Sequence, residues 1–192
     1  MASTATASIG AKLISASFSP NYSFGTASLS QTIDLPIVNQ AINFLNGTGV
    51  GQINRIGIAS GTLTNVTPTT TDTVSIDLMS LTDPAGASFT DLTKLCAVLI
   101  LNDATAAGSK LIWDGTVTNG FVAPMEDVAT AKIRILPGHV DPISSVNQPG
   151  IALFASGCLA GYAVDATHKI IKLYSGSAPS IPYRVVLLGR TA

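Results

Sequence analysis

The strongest constraint in this chain is how soon every apolar run ends. From Asn46 onward no apolar stretch lasts longer than one strand before a turn signal interrupts it. Asn46-Gly47-Thr48-Gly49 reads as a turn or loop, followed by an extended run through Ile53, Arg55-Ile56-Gly57-Ile58 and Leu63. Val74-Ser75-Ile76-Asp77-Leu78 alternates, with Val74, Ile76 and Leu78 on one face, and Asp83-Pro84-Ala85-Gly86 turns the chain. Lys94 to Leu101 is apolar at consecutive positions, the pattern of a central strand buried on both faces. Further strands are expected at Lys110–Trp113, Phe121-Val122, Ala131–Leu136, Ile151–Ala155, Tyr162–Val164, Ile170–Tyr174 and Tyr183–Leu188. In Ala131–Leu136, Ile133 and Ile135 face inward and Lys132 and Arg134 outward.

That spacing gives about eight or nine strands at intervals of roughly 10–15 residues, the signature of an all-β sandwich or jelly roll. Val38 to Leu45 fits one helical face through Val38, Ile42 and Leu45, and fits alternation nearly as well. A single Glu in the whole chain agrees with a sequence that avoids helix. The 192 residues suffice for one domain with a core that needs no metal or disulfide support.

Charge adds a second constraint. Asp, Glu, Lys and Arg make up 11% of the chain, where about 25% is ordinary. Net charge is −1 and mean hydropathy is +0.44, with Ser, Thr and Gly in the places that surface charge would occupy. A charge-poor surface favours association, and interface centres are depleted of charge. Either neighbouring subunits cover this surface or it is a neutral Ser/Thr face in water. Nucleic-acid binding is not expected, because Lys169, Lys172, Arg184 and Arg190 are spaced as outward-facing strand positions and form no basic stripe. No membrane span is expected either. Leu95–Leu101 is one strand long, and Ser144, Ser145, Asn147, Gln148 and Pro149 break the uncharged stretch from Pro142 to Val164. Met1–Thr6 lacks the basic and apolar regions of a signal peptide.

Residues 1–36 differ from the remainder. Lys12 is the only charge before Asp34, and Leu13, Ile14, Phe18, Tyr22, Phe24 and Leu29 are isolated apolar positions among Ala, Ser and Thr. Such a segment buries too little to fold alone. It can lie as an extended strand along a neighbour, ordered by main-chain hydrogen bonds; a mobile tail or a first strand of the domain fits equally. The expected organisation is an extended N-terminal arm, 1–36, and a β-sandwich of jelly-roll type, 37–192.

No motif supplies an active site, and the chain is not expected to be an enzyme. His139 and His168 sit in turn-like contexts, and His168 with Asp165 belongs on a hairpin turn, short of the three or four ligands a metal needs. Ser156-Gly157-Cys158 has no histidine placed beside it, and no Gly-x-Ser-x-Gly elbow occurs. Glu126 and Asp127, adjacent on a strand, would point to opposite faces. Gly47-Thr48-Gly49-Val50-Gly51 opens no helix and has no lysine, so it is expected to connect strands and not to cradle phosphate. Cys96 and Cys158 are expected as buried or half-buried thiols, consistent with synthesis in a reducing cytoplasm. The sequons at Asn21, Asn46 and Asn65 follow from Ser/Thr richness. No cofactor or metal is expected.

Several segments together resemble one family. These are Asn46-Gly47-Thr48-Gly49-Val50-Gly51-Gln52, then Val74–Gly86 with Asp77-Leu78 and Leu81-Thr82-Asp83, then the apolar strand Leu92–Leu101 followed by Asn102. Ile135-Leu136-Pro137-Gly138, Pro149-Gly150, Gly161-Tyr162-Ala163-Val164 and Tyr183–Gly189 continue the order, and Phe44 takes the place of the aromatic that precedes the Asn-Gly turn. Over about residues 42–190 the chain resembles the small virion structural proteins of tailed bacteriophages.

The resemblance implies a jelly-roll-like domain without catalysis. The expected function is a capsid cement or decoration protein on the outer surface of the virion, made in the host cytoplasm. It would tie neighbouring major capsid subunits together, as a homo-oligomer and specifically a trimer. The arm would make the capsid contact through Leu13, Ile14, Phe18, Tyr22 and Phe24. The alternative is a head or tail fibre, spike or carbohydrate-binding module, with Trp113, Tyr162 or Tyr174 stacking on a sugar.

Overall fold

The computed structural model describes residues 7–12, 17–18, 21–24, 27–30, 33–34, 39–64, 72–83, 86–125, 131–140, 147–155, 160–175 and 180–191. Among them every regular element is a strand, so the protein is all-β. The chain divides into two compact units, Ala7–Phe44 and the part that begins at Leu45.

The first unit is a β-ribbon. Its strands are β1 (Ala7–Lys12), β2 (Ser17–Phe18), β3 (Asn21–Phe24), β4 (Ala27–Ser30), β5 (Ile33–Asp34) and β6 (Asn39–Asn46). They pair antiparallel, β1 with β6, β2 with β5 and β3 with β4. One register runs through all three ladders. Ala7 pairs with Phe44, Lys12 with Asn39, Ser17 with Asp34, Asn21 with Ser30 and Phe24 with Ala27, so no residue is gained or lost between them. Within the expected arm the strands are extended and β2 to β5 pair with each other, while β1 pairs with β6, which lies beyond residue 36. Val38–Leu45, which fitted helix or strand, overlaps β6, and the expected boundary between 36 and 37 falls between β5 and β6.

The second unit is an antiparallel β-sandwich with jelly-roll-like crossings. In chain order it contains β7 (Gln52–Ile53), β8 (Arg55–Leu63), β9 (Thr73–Asp77), β10 (Leu81–Thr82), β11 (Ser88–Phe89), β12 (Lys94–Asn102) and β13 (Leu111–Asp114). Then follow β14 (Lys132–Ile135), β15 (His139–Val140), β16 (Asn147–Gln148), β17 (Gly150–Ala155), β18 (Tyr162–Ala163), β19 (Ile170–Ser175) and β20 (Ile181–Arg190). The larger sheet has the order β11-β10-β8-β20-β12-β17, with β18 also paired to β12; the smaller has the order β14-β13-β19-β9. The chain crosses repeatedly between sheets, and β15 and β16 pair where it passes from β14 to β17.

The core lies between the two sheets. From β20 the odd-numbered Ile181, Tyr183, Val185 and Leu187 enter it; from β12 Leu95, Val98 and Ile100; from β13 and β19 Leu111, Trp113, Ile171 and Leu173. Trp113 is fully buried, stacked on Phe121 with ring centroids 6.4 Å apart and edge-on to Phe154 at 5.6 Å. Lys94–Leu101 is an inner strand, hydrogen-bonded on one side to β20 and on the other to β17 and β18, but it is not buried on both faces as expected, since the outward Leu99 and Leu101 are only half-buried. A bulge at Cys96 explains its run of consecutive buried residues, because the extra residue lets both Leu95 and Cys96 bury.

At the other end of β12 the buried Asn102 fastens the crossing between sheets. Its Nδ2 donates to the carbonyls of Ser109 at 2.8 Å and Ile135 at 3.1 Å, and its Oδ1 accepts from the Ala104 N–H at 3.1 Å.

Three further expectations need correction. Phe121-Val122 is no strand. Bounded by Gly120 and Pro124, the pair is too short to propagate a ladder, and Phe121 enters the core from a loop whose N–H bonds the Ile170 carbonyl at 2.8 Å. Arg190, expected to face solvent, is buried, because residues 47–51 return over the end of β20. Within the second unit the expected strands omit β10, β11, β15 and β16, two-residue strands that make ladder bonds without an alternating pattern long enough to read.

Candidate interaction surfaces

Among the described residues, the side chains weighed for catalysis or metal binding do not converge. His139 and His168 are both exposed, and His168 lies on the turn that starts at Asp165. There the Asp165 carboxylate accepts from the Thr167 hydroxyl at 2.7 Å, the Thr167 N–H at 2.8 Å and the His168 N–H at 2.9 Å. These bonds, led by the Thr167 hydroxyl, hold its pKa at about 2, as expected of an Asx-type turn. Among the described residues no group of three or more His, Cys, Asp or Glu comes together. Cys96 is a free thiol whose pKa burial pushes up, opposed by the Arg190 charge, so it is not activated as a nucleophile. Glu126, Asp127, Ser156, Gly157, Cys158 and Asn65 lie outside the described residues.

Of the three aromatics considered as sugar platforms, Trp113 is a core residue. Tyr162 is half-buried and edge-on to Phe121 at 6.3 Å. Tyr174 is half-buried on the outer face of the smaller sheet, with the Lys132 ammonium 5.9 Å from its ring centroid. That face carries Lys132, Arg134 and Lys172 around Asp114. Burial raises the Asp114 pKa, but the Thr116 hydroxyl and N–H and then Lys132 and Lys172 outweigh it and leave the carboxyl below its ordinary range.

Two surfaces instead carry an organised pattern. The first is the ribbon. In the ladders of β2 with β5 and β3 with β4, Phe18 pairs with Ile33, Tyr22 with Leu29 and Phe24 with Ala27, while Ser17 pairs with Asp34, Asn21 with Ser30 and Ser23 with Ser28. Apolar stands opposite apolar and polar opposite polar in every one of these pairs. Phe18, Tyr22 and Phe24, three of the five residues expected to make a contact, thus each stand opposite an apolar residue; Leu13 and Ile14 lie outside the described residues.

The second surface is the outer face of the larger sheet, turned away from the core. Across β8, β20, β12 and β17 the register lines up Ile58, Val186, Leu99 and Leu153 in one row. Beside it run Ile56, Leu188, Ala97 and Ala155 on one side, and Ser60, Arg184, Leu101 and Ile151 on the other. Ile58 is 43% and Ile151 64% exposed, while Ile56, Val186, Leu99, Leu101 and Leu153 are half-buried. The one charge in these rows, Arg184, makes two bonds to the Asp103 carboxylate, at 2.7 and 2.6 Å.

One end of the face is closed. Asn54 and Thr191 exchange hydrogen bonds at 2.9 Å, the Asn54 N–H reaches the Gly189 carbonyl at 3.1 Å, and Arg190 holds the carbonyls of Gly49 and Ala160. Leu188 and Ala97 are accordingly buried, whereas the rows of Leu99 and Leu101 stay partly open. The Gly-rich segment 47–51 thus serves as a structural cover, a role that its glycine pattern alone does not reveal.

No protein-family model, curated protein or solved structure matches this chain.

Proposed function

We propose that this protein is a structural subunit of a tailed-phage virion, a capsid cement or decoration protein that ties neighbouring major capsid subunits together. It acts on the outer surface of the particle as a homo-oligomer, after synthesis in the host cytoplasm. It is not an enzyme, and it binds neither nucleic acid nor membrane. The observation that carries this reading is the pairing of the arm's strands, in which Phe18, Tyr22 and Phe24 each stand opposite an apolar residue, Ile33, Leu29 and Ala27. A pair of strands is at best marginally stable in water by itself, and such a pair is completed by a partner surface. Scarce charge over the whole chain and the resemblance of residues 42–190 to phage structural proteins support the same assignment.

The arm would act by laying its paired strands on the capsid, not only by offering a free strand edge. Modest contacts of several linked arms add up through effective concentration. The test is co-sedimentation with expanded heads that lack the protein. Wild type is expected to bind in hundreds of copies, and the triple variant Phe18→Ser, Tyr22→Ser, Phe24→Ser to stay in the supernatant with the thermal unfolding of the sandwich unchanged. No binding by wild type, or unimpaired binding by the variant, overturns the proposal. A handful of copies at one vertex or on the tail favours the fibre, spike or carbohydrate-binding alternative.

A further inference from the structure

The outer face of the larger sheet is a different surface from the ribbon, and its composition specifies a different partner. Its centre is aliphatic: Ile58, Val186, Leu99 and Leu153 in one row, with Leu101 and Ile151 beside them. Around them lie the exposed Ser60, Thr62 and Thr82 and the Arg184–Asp103 pair, whose side chains are 55% and 25% exposed. An apolar centre inside a polar rim is the anatomy of a protein interface. Four strands about 4.8 Å apart and the two open rows about 6.7 Å apart cover roughly 250 Å² in projection, the centre of an interface at the small end of the stable range once its rim is added.

We infer that a second copy of this chain covers this face. Beside the open rows the charged residues among those described are Arg184 and Asp103, a cation and an anion that a second copy matches, its Asp103 able to receive Arg184 and its Arg184 able to receive Asp103. A partner surface of either net sign would leave one of them facing a like charge. The aliphatic rows likewise match themselves, and a subunit present in many copies always has that partner at hand. The inference rests on reading the chain as a subunit of an assembly, and it assigns self-association to the sandwich while capsid attachment stays with the ribbon.

Light scattering after size-exclusion chromatography, run on the full chain over a range of concentrations, tests it. Wild type is expected at a whole-number multiple of the chain mass. The double variant Ile58→Glu, Ile151→Glu, at two exposed positions, is expected to weaken association by about a hundredfold and run as a monomer. Its near-ultraviolet circular dichroism and unfolding midpoint are expected to match wild type. If the variant unfolds, the milder Ile58→Ser, Ile151→Ser pair takes its place, with the same loss of mass expected. Wild type that stays monomeric at every concentration, or a folded variant that keeps the wild-type mass, overturns the inference. The head-binding assay separates the two proposals. A monomer that binds heads removes the self-association and keeps the cement function, whereas an oligomer that ignores heads does the reverse. A monomeric wild type whose face variants lose head binding assigns the face to the capsid and also overturns the inference.

Discussion

The guanidinium of Arg190 donates to the main-chain carbonyl of Gly49, with Nη1 2.6 Å from the oxygen, and so joins the last strand to the loop that opens the sandwich. Nη2 reaches the Ala160 carbonyl at 2.5 Å. The side chain is buried, so replacing it by Met keeps the apolar stem but leaves both carbonyls without these donors. Gly49 is exposed and its carbonyl also accepts from the Gln52 N–H at 3.1 Å, so what is lost is hydrogen bonding from a charged donor, about 1.5–3 kcal/mol, and not the burial of orphaned groups. Arg190→Met is expected to lower stability by about 2 kcal/mol in urea unfolding. Arg190→Lys should recover only part of this, because one ammonium cannot span two carbonyls in the fixed fork of a guanidinium. Equal stability of Arg190→Met and wild type would show that the loop closes without this side chain.

Asn102 tests the crossing between sheets in the same way. It is fully buried and serves three main-chain groups, of Ser109, Ile135 and Ala104. Asn102→Ala is expected to cost about 3 kcal/mol or more, since several buried groups lose their partner at once. Asn102→Asp should be worse at neutral pH, because a carboxylate offers no donor to the carbonyls of Ser109 and Ile135 and would be buried as a charge. Chemical denaturation of the two variants side by side gives the order.

How much of this is legible in the sequence depends on whether a pattern is local. Val74-Ser75-Ile76 and Lys132-Ile133-Arg134-Ile135 alternate within one strand, and they bury as alternation dictates. Arg190 and Phe121 do not fit that scheme. By parity Arg190 faces away from the core, and only the return of residues 47–51, more than a hundred positions earlier, covers it. Phe121 enters the core from a loop shaped by close backbone approach, where a Cβ on Gly120 would lie 2.2 Å from the Gly115 carbonyl oxygen. The ribbon is an intermediate case. Phe18, Tyr22 and Phe24 can be picked out as apolar, but that each stands opposite an apolar residue emerges only when β5 and β4 are set against β2 and β3 in register. The outer face of the larger sheet needs the order of four strands, which no single strand specifies.

Trp113 separates a core residue from a sugar platform. Its ring is fully buried between Phe121 and Phe154, and its Nε1 has no hydrogen-bond partner among the described residues. Trp113→Ala is expected to cost about 3–5 kcal/mol, the range for emptying an aromatic site. Trp113→Phe should cost clearly less, because it removes an unsatisfied donor along with part of the ring. As the only tryptophan, it should emit at short wavelength in the folded protein, shift red on unfolding and stay unchanged when oligosaccharides are added. A sugar-dependent shift without unfolding would restore the platform role.

The turn at Asp165 gives a prediction with a definite sign in pH. The Thr167 hydroxyl, then the Thr167 N–H, hold the carboxylate in its charged form and bring its pKa to about 2, below the ordinary 3.8. A depressed carboxylate contributes stability that is complete above the unfolded-state pKa and is lost as pH falls through the folded-state value. Its effect on the turn should therefore be full at pH 5 and above and vanish progressively from about pH 4 down to about pH 2. Following the Asp165 carboxyl carbon by NMR should give a midpoint near 2 in wild type. In Thr167→Val, which keeps the N–H and removes the hydroxyl, the midpoint should rise toward the ordinary value. His168→Gln should move it less, since the His168 contributions are smaller than those of Thr167. The reverse order would make the imidazole, and not the hydroxyl, the group that fixes this turn.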